Sequence, residues 1–351
     1  MDSADGNSIA RGTKLRIVLA GGSGHLGTLL ARYFCSRQHS VVVLSRRLAT
    51  GPCPQVLWDG KNCGEWIQEL DGADLIINLA GRSVNCRYNE QNRREILESR
   101  VESTQAIGEA IRRIAKPPRI WLNSSTATIY RHSLDREMDE ISGELGGHES
   151  GVPASWNFSI KVATLWESTF FNCETRNTRK IALRSAMVMI PQPGGAFDTL
   201  LRMVRLGLGG AAGDGGQFVS WIHGADFIRA LEFLIEHEEL QGSVNVSAPQ
   251  PLPNRDFMRA LRVAWGAKLG FPASRWMLEI GAVFLPTETE LILKSRRVVP
   301  RRLLESGFTF QFAKWPAAAE DLVRHWRINR SLRRNGQTRI EPSLPAEIAK
   351  V

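Results

Sequence analysis

The chain has 351 residues, a formal net charge of +9, and 43% hydrophobic against 23% charged residues, enough to bury a full core as one large domain or one plus a small partner. No apolar run approaches the ~18 residues of a membrane span, and the first fourteen residues are polar, without a signal-peptide core, so a cytoplasmic protein is expected. The five cysteines, Cys35, Cys53, Cys63, Cys86 and Cys173, are an odd, scattered set with no C-x-x-C pair; reduced thiols are expected, and no zinc site or metal catalysis.

Residues 1–13 read as a disordered tail. From Lys14 to about Ser185 apolar runs alternate with helical segments, the pattern of a parallel α/β fold. Strands are expected at Arg16–Ala20, Ser40–Ser45, Val56–Trp58, Leu75–Ala80, Ile120–Ser124 and Ile181–Ser185, with helices at His25–Ser36, Glu90–Ala115 and Ser159–Cys173. The first strand breaks into Gly21, Gly24 and Gly27, spaced G-x-x-G-x-x-G, before the helix of Leu26, Leu29, Leu30, Tyr33 and Phe34. A strand, a tight glycine turn and a helix N-terminus suit a dinucleotide pyrophosphate, because the backbone can approach the phosphates and free N–H groups face them.

The second strand ends in Ser45-Arg46-Arg47. An NAD site places an acid about 20 residues beyond the glycines. The hydroxyl and guanidinium groups found instead suit the 2′-phosphate of NADP, which Arg binds bidentately. Asn78-Leu79-Ala80-Gly81 closes a further strand with small residues, and Arg87 follows it; Asn123–Tyr130 closes the next with hydroxyls. After Pro191 glycine-rich stretches flank an amphipathic Phe197–Leu206, followed by a helical Gly224–Glu236, a strand Gly242–Ser247, and helices with short extended pieces such as Gly307–Phe312. Arg324, Arg327, Arg330, Arg333, Arg334 and Arg339 crowd the end; with no aromatic after Trp326, a solvated tail is favoured over a nucleic-acid arm. The expected fold class is α/β, a Rossmann-type doubly wound parallel sheet with a smaller, mostly helical C-terminal substrate lobe. Its NADP-binding domain spans 14–253, with 191–221 contributing to the substrate lobe, and a small C-terminal domain (254–326) and a basic tail (327–351) follow.

GGSGHLG, NLAG, NSSTATIY and QFVSWIHGAD together resemble the extended short-chain dehydrogenase/reductases of the nucleotide-sugar epimerase type. LSRR, SRVESTQ, RLGLGG and KSRRVVPRRLLESGFTF are similar to an atypical "epimerase family protein" subgroup with a small C-terminal domain of unknown function, over roughly residues 14 to 325. The resemblance implies that Gly21, Gly24, His25, Leu26 and Gly27 line the pyrophosphate and that Ser45 and Arg46 hold the 2′-phosphate. It also implies that Leu79, Ala80 and Arg87 touch the cofactor's middle, and that Val188 packs near the nicotinamide. Thr126 falls at the family's active-site hydroxyl position, and Trp221, His223 and Asp226 match a substrate-lobe motif. The family's Tyr and the Lys four residues later, which exchange protons near neutral pH, are missing: the chain reads Phe158-Ser159-Ile160-Lys161 there. Lys161, Tyr130 or a water is the expected substitute. Two readings follow: an NADP-dependent oxidoreductase or epimerase acting on a small molecule such as a nucleotide sugar or other carbonyl compound, or a non-catalytic NADP(H)-binding sensor or scaffold. Related proteins pair as homodimers through helices like Glu90–Ala115 and Ser159–Cys173, whose apolar faces could equally be covered within one chain.

Overall fold

A computed structural model describes residues 13–272 and 290–334. Seven parallel strands form the central sheet in the order β10-β6-β5-β4-β1-β2-β3. They are β1 (Arg16–Ala20), β2 (Ser40–Ser45), β3 (Gln55–Leu57), β4 (Leu75–Asn78), β5 (Ile120–Thr126), β6 (Arg179–Ser185) and β10 (Gly242–Val246). Strand order reverses between β1 and β4, and a ligand crevice is expected outside the carboxyl ends at such a switch point.

Alternation along each strand divides the apolar residues between two helix layers. Ile17, Leu19, Leu75, Ile77, Leu122 and Leu183 pack with α1 (His25–Ser36) and α5 (Gly224–Glu236). Val18, Ala20, Ile76, Trp121 and Ala182 face the other way, onto α2 (Glu90–Arg113) and α3 (Asn157–Asn172). The Asn89 side chain caps α2 by accepting the Asn92 N–H at 2.8 Å. α2 ends two residues earlier than expected, ahead of Pro117 and Pro118, which disfavour helix in what precedes them. β5 runs two residues longer than expected, because β6 pairs with it through Thr126↔Ser185.

A separate apolar core joins α4 (Ala196–Arg205), α6 (Asn254–Trp265) and the C-terminal α7 (Trp315–Arg334) around Phe197, Trp221, Phe257 and Trp315. Two short two-stranded pairings brace it, β7 (Met187–Met189) with β9 (Trp221–His223), and β8 (Phe218–Val219) with β11 (Leu252–Pro253). Helix α7 continues through Arg334, past the expected tail boundary at Trp326, because its arginines find aromatic faces: Arg327 lies over Trp265 at 4.6 Å and Arg330 over Trp326 at 5.2 Å. The 307–312 segment pairs with no strand; its Gln311 and Phe312 N–H groups donate to Asp226 instead. Residues 1–12 and 335–351, the bulk of the two expected tails, lie outside the described residues.

Cys35 and Cys53 form a disulfide, which corrects the expectation of five reduced thiols; Cys63, Cys86 and Cys173 are free. The pair is 18 residues apart in sequence, joining the end of α1 to the loop after β2, a proximity that no local cysteine spacing encodes. With it bonded, cysteine usage no longer speaks for a reducing compartment.

Candidate functional site

A cavity of about 350 Å³ opens at the carboxyl ends of β1, β4 and β5. Of the residues expected to hold a cofactor, Gly21, Gly24, His25, Leu26, Gly27, Leu79 and Ala80 line it, and so does the candidate Thr126. Gly21 has φ +72°, and a Cβ there would stand 2.7 Å from the Ala80 backbone, so only glycine fits this crossing. Gly24 is different. It has an ordinary extended backbone (φ −75°, ψ 177°), and the nearest atom to an added Cβ is the Gly21 carbonyl oxygen at 3.8 Å. Its missing side chain leaves room on the cavity side. Gly24 is the N-cap of α1 without a side-chain cap bond, so the first-turn N–H groups are left for a ligand. This is a cradle that a Cβ would fill, and it fits a dinucleotide's phosphates.

Ser45, Arg46, Arg87 and Val188 stand outside the cavity wall. Ser45 is buried, its hydroxyl donating to the Arg47 carbonyl (2.9 Å) and hydrogen-bonded with Ser23 Oγ (3.1 Å), whereas Arg46 and Arg47 are exposed at the β2 end beside the glycine turn. Arg87 is partly buried, its carbonyl accepting from Asn92 Nδ2. Val188 lies in β7 and packs against the core of α1 and α5.

The hydroxyl-rich end of β5 forms the next part of the wall, with Ser124, Ser125, Thr126 and Thr128. Thr126 Oγ1 accepts the Thr128 N–H at 3.2 Å, which turns the chain into a short 3₁₀ segment. Ser125 donates to buried Glu167, whose carboxylate also takes Arg184 Nε (2.9 Å) and Nη2 (2.7 Å). Arg184 Nη1 then donates to Tyr130, whose hydroxyl donates to Asn245 Oδ1; both distances are 2.9 Å. Tyr130 is 1% exposed and off the wall, and burial pushes its phenol above the usual range. This corrects its candidacy as a proton donor: the phenol is walled in by its own network.

Lys161 is likewise corrected. It projects from the exposed side of α3, while Phe158, Ser159, Val162 and Trp166 of that helix line the cavity. Phe158 and Val162, four residues apart on one helix face, occupy the two positions where the resemblance implies Tyr and Lys. Phe158 meets Tyr88 edge-on at 5.1 Å. The residue after it carries the polar chemistry: Ser159 Oγ donates to Glu290 Oε2 at 2.6 Å.

Three charged residues of the KSRR region and its approach, assigned no role from sequence, back the hydroxyl wall. Lys294 Nζ donates to the Thr128 carbonyl (2.9 Å) and Arg296 Nε to Thr128 Oγ1 (3.0 Å), and Glu290 holds Ser159. Burial, with Arg296 adjacent, pushes Lys294 down to about 8. Arg100 of α2 also lines the cavity and also went unassigned. His223 is fully buried and structural, its Nδ1 accepting the Ala225 N–H at the start of α5, and Asp226 binds Arg229 besides the 311–312 backbone. Among the described residues no helix is long and apolar enough to cross a membrane, and no three His, Cys, Asp or Glu side chains could hold a metal ion.

The profile of the NAD dependent epimerase/dehydratase family matches residues 17–247, and a domain of unknown function, DUF1731, matches residues 273–322. The chain is 31% identical over 312 residues to epimerase family protein SDR39U1 of Homo sapiens, covering 88% of this chain and 100% of the relative. Against Bacillus subtilis epimerase family protein YfhF it is 27% identical, covering 88% and 98%. The crystal structure of the human SDR39U1 protein (isoform2) with NADPH superposes with a TM-score of 0.76 at 31% identity, over 88% of this chain and 99% of that one.

Proposed function

Because the chain belongs to the NAD dependent epimerase/dehydratase family, we propose that it is an NADP(H)-dependent oxidoreductase, epimerase-like in architecture, acting on a small hydroxyl or carbonyl compound such as a nucleotide sugar. One observation carries the reading: a single cavity runs from the Gly21–Gly27 turn to Thr126 and the α3 face. The human relative crystallised with NADPH supports the choice of cofactor. In this proposal Gly21, Gly24, His25, Leu26 and Gly27 cradle the pyrophosphate, and Ser45 and Arg46 receive the 2′-phosphate. Leu79, Ala80 and Arg87 flank the middle of the cofactor, and Val188 backs the nicotinamide end. Bound NADP(H) would supply the hydride donor or acceptor.

Thr126 offers its hydroxyl to the substrate oxygen. Ser159, hydrogen-bonded to Glu290, holds the proton that the family's tyrosine would otherwise carry, since a hydroxyl next to a carboxylate can pass one on. Pairing of two copies through α2 and α3 belongs to the same proposal; Leu165 and Phe171 of α3 are exposed apolar residues available to it, and sedimentation analysis reads it directly. The domain division at 253/254 is also part of this reading.

Parallel fluorescence titrations with NADPH and NADH at one salt concentration test the cofactor. Preference for NADPH, reduced in Arg46→Ala by roughly ten- to a hundred-fold from a lost charge-assisted contact of about 1.5–3 kcal/mol, is the expected result. No binding of either dinucleotide would overturn it. Turnover of a carbonyl panel by NADPH, slowed in Thr126→Ala, tests the chemistry. A second reading, an NADP(H)-binding sensor, rests on Phe158 and Val162 as the apolar pair on the wall; tight NADPH binding without turnover of any compound would favour it.

A further inference from the structure

Among the described residues that line the cavity, Arg100 is the one Arg, Lys, Asp or Glu. It reaches the wall from α2, facing Phe158, Val162 and Trp166 of α3. Its guanidinium carbon lies 5.1 Å from the Trp166 ring centroid, and a Cβ on Gly81 would come within 3.2 Å of it. Its two hydrogen bonds, to the Arg82 carbonyl (3.1 Å) and the Ile96 carbonyl (2.9 Å), both come from Nη1. Among the described residues it makes no ion pair. Glu95, on the same helix, is committed to Arg82. Burial lowers its pKa to about 10. A half-buried guanidinium held over Trp166 without a carboxylate is costly to maintain, and its fork still has Nη2 and Nε to offer.

We infer that Arg100 grips an anionic group of the substrate, a carboxylate or phosphate, in two-pronged fashion. The inference rests on the cofactor reading above, in which the glycine turn and Arg46 already take the phosphates of NADP. Arg100 reaches the cavity between Gly81 and Trp166 of α3, and so selects substrates that carry negative charge at one end. Fork-shaped recognition of planar oxyanions is what arginine does better than lysine.

The test uses the full chain loaded with NADPH. Malonate and inorganic phosphate are titrated at constant ionic strength while NADPH fluorescence and melting temperature are followed. The wild type should respond saturably to at least one of them. Arg100→Gln should weaken that response at least ten-fold and Arg100→Lys should restore part of it, with NADPH affinity within three-fold throughout. The inference is overturned by a wild type that shows no saturable response, by Arg100→Gln binding the anion as tightly as the wild type, or by Arg100→Gln losing ten-fold in NADPH affinity, which would assign the guanidinium to the cofactor. If Arg100→Gln does not fold, Arg100→Lys decides: an anion affinity unchanged by loss of the fork sinks the idea. A wild type that does not bind NADPH would refute the cofactor reading alone, because malonate binding to the free chain still reports on Arg100.

Discussion

Gly24→Ala separates the fold from the ligand site within one residue. The backbone there is extended and open to any L-residue, and the added methyl meets nothing closer than 3.8 Å. Two small effects on stability oppose each other. Alanine restricts the unfolded chain, a gain of about 0.4–1 kcal/mol, but is a poorer N-cap than glycine by a similar amount. The melting temperature should therefore move by no more than a few degrees, from a net change within about 1 kcal/mol. Binding should behave differently, because the methyl occupies the space in which the pyrophosphate would lie against the backbone of α1's first turn. A loss of at least ten-fold in NADPH affinity, about 1.4 kcal/mol, is expected in a fluorescence titration. Gly21→Ala serves as contrast. At φ +72° and 2.7 Å from the Ala80 backbone it should lower stability and binding together. A stable Gly24→Ala protein that binds NADPH like the wild type would refute the placement of the phosphates at this turn.

Glu167→Ala strands Arg184, whose side chain is 11% exposed, without its carboxylate; removing one partner of a buried pair costs about 3–5 kcal/mol, so calorimetry should record a fall of roughly 4–7 °C for a chain of this length, and a fall under 2 °C would show the pair to be idle. Lys294 has an unfolded value near 10.5 and is pushed down to about 8 by burial. Between these values the unfolded chain binds more protons, so this group adds stability as pH rises from about 8 to about 10.5, on the order of 3 kcal/mol at most, and costs stability below pH 8. Urea unfolding at pH 7.5 and 9.5 should therefore show a smaller rise for Lys294→Met than for the wild type; equal rises would contradict the assignment. Ser159→Ala should slow any NADPH-dependent turnover by 10²-fold or more if the Ser159–Glu290 pair carries the proton, within the usual range of about 10²–10⁴ for such catalysis; an unchanged rate would remove it.

What could be read from the chain in advance was local. The β1–glycine–α1 unit is encoded in thirteen consecutive residues, Leu15–Gly27, and strands buried on both faces announce themselves as unbroken apolar runs. The absence of the Tyr and Lys pair could be read from Phe158 and from the three tyrosines alone. What escaped is set by long-range packing. Ser159 and Glu290 are 131 residues apart, and Lys294 and Thr128 are 166 apart; no periodicity links them. Arg100 looked like any arginine on an amphipathic helix, because its distinction is that it lines the cavity without an ion pair among the described residues, a property of the neighbourhood rather than of the run SRVESTQ. Tyr130 and Lys161 misled in opposite ways: one was too deep to reach the cavity, the other on the far side of its helix.

Trp326 Nε1 donates to Asp198, Asn329 Nδ2 to the Pro191 carbonyl, and Trp315 packs against Trp221 and Phe257. This gives the last of the described helices a task in biosynthesis. While the polypeptide is still emerging, the apolar face of α4 and the indole of Trp221 have been synthesised without the helix that seals them. About a hundred more residues must follow, roughly 5–20 s at ordinary elongation rates. Nascent chains halted at Pro253 should accordingly be cut by protease near α4 while the β1–α1 region resists, and should become resistant throughout once α7 has cleared the ribosome.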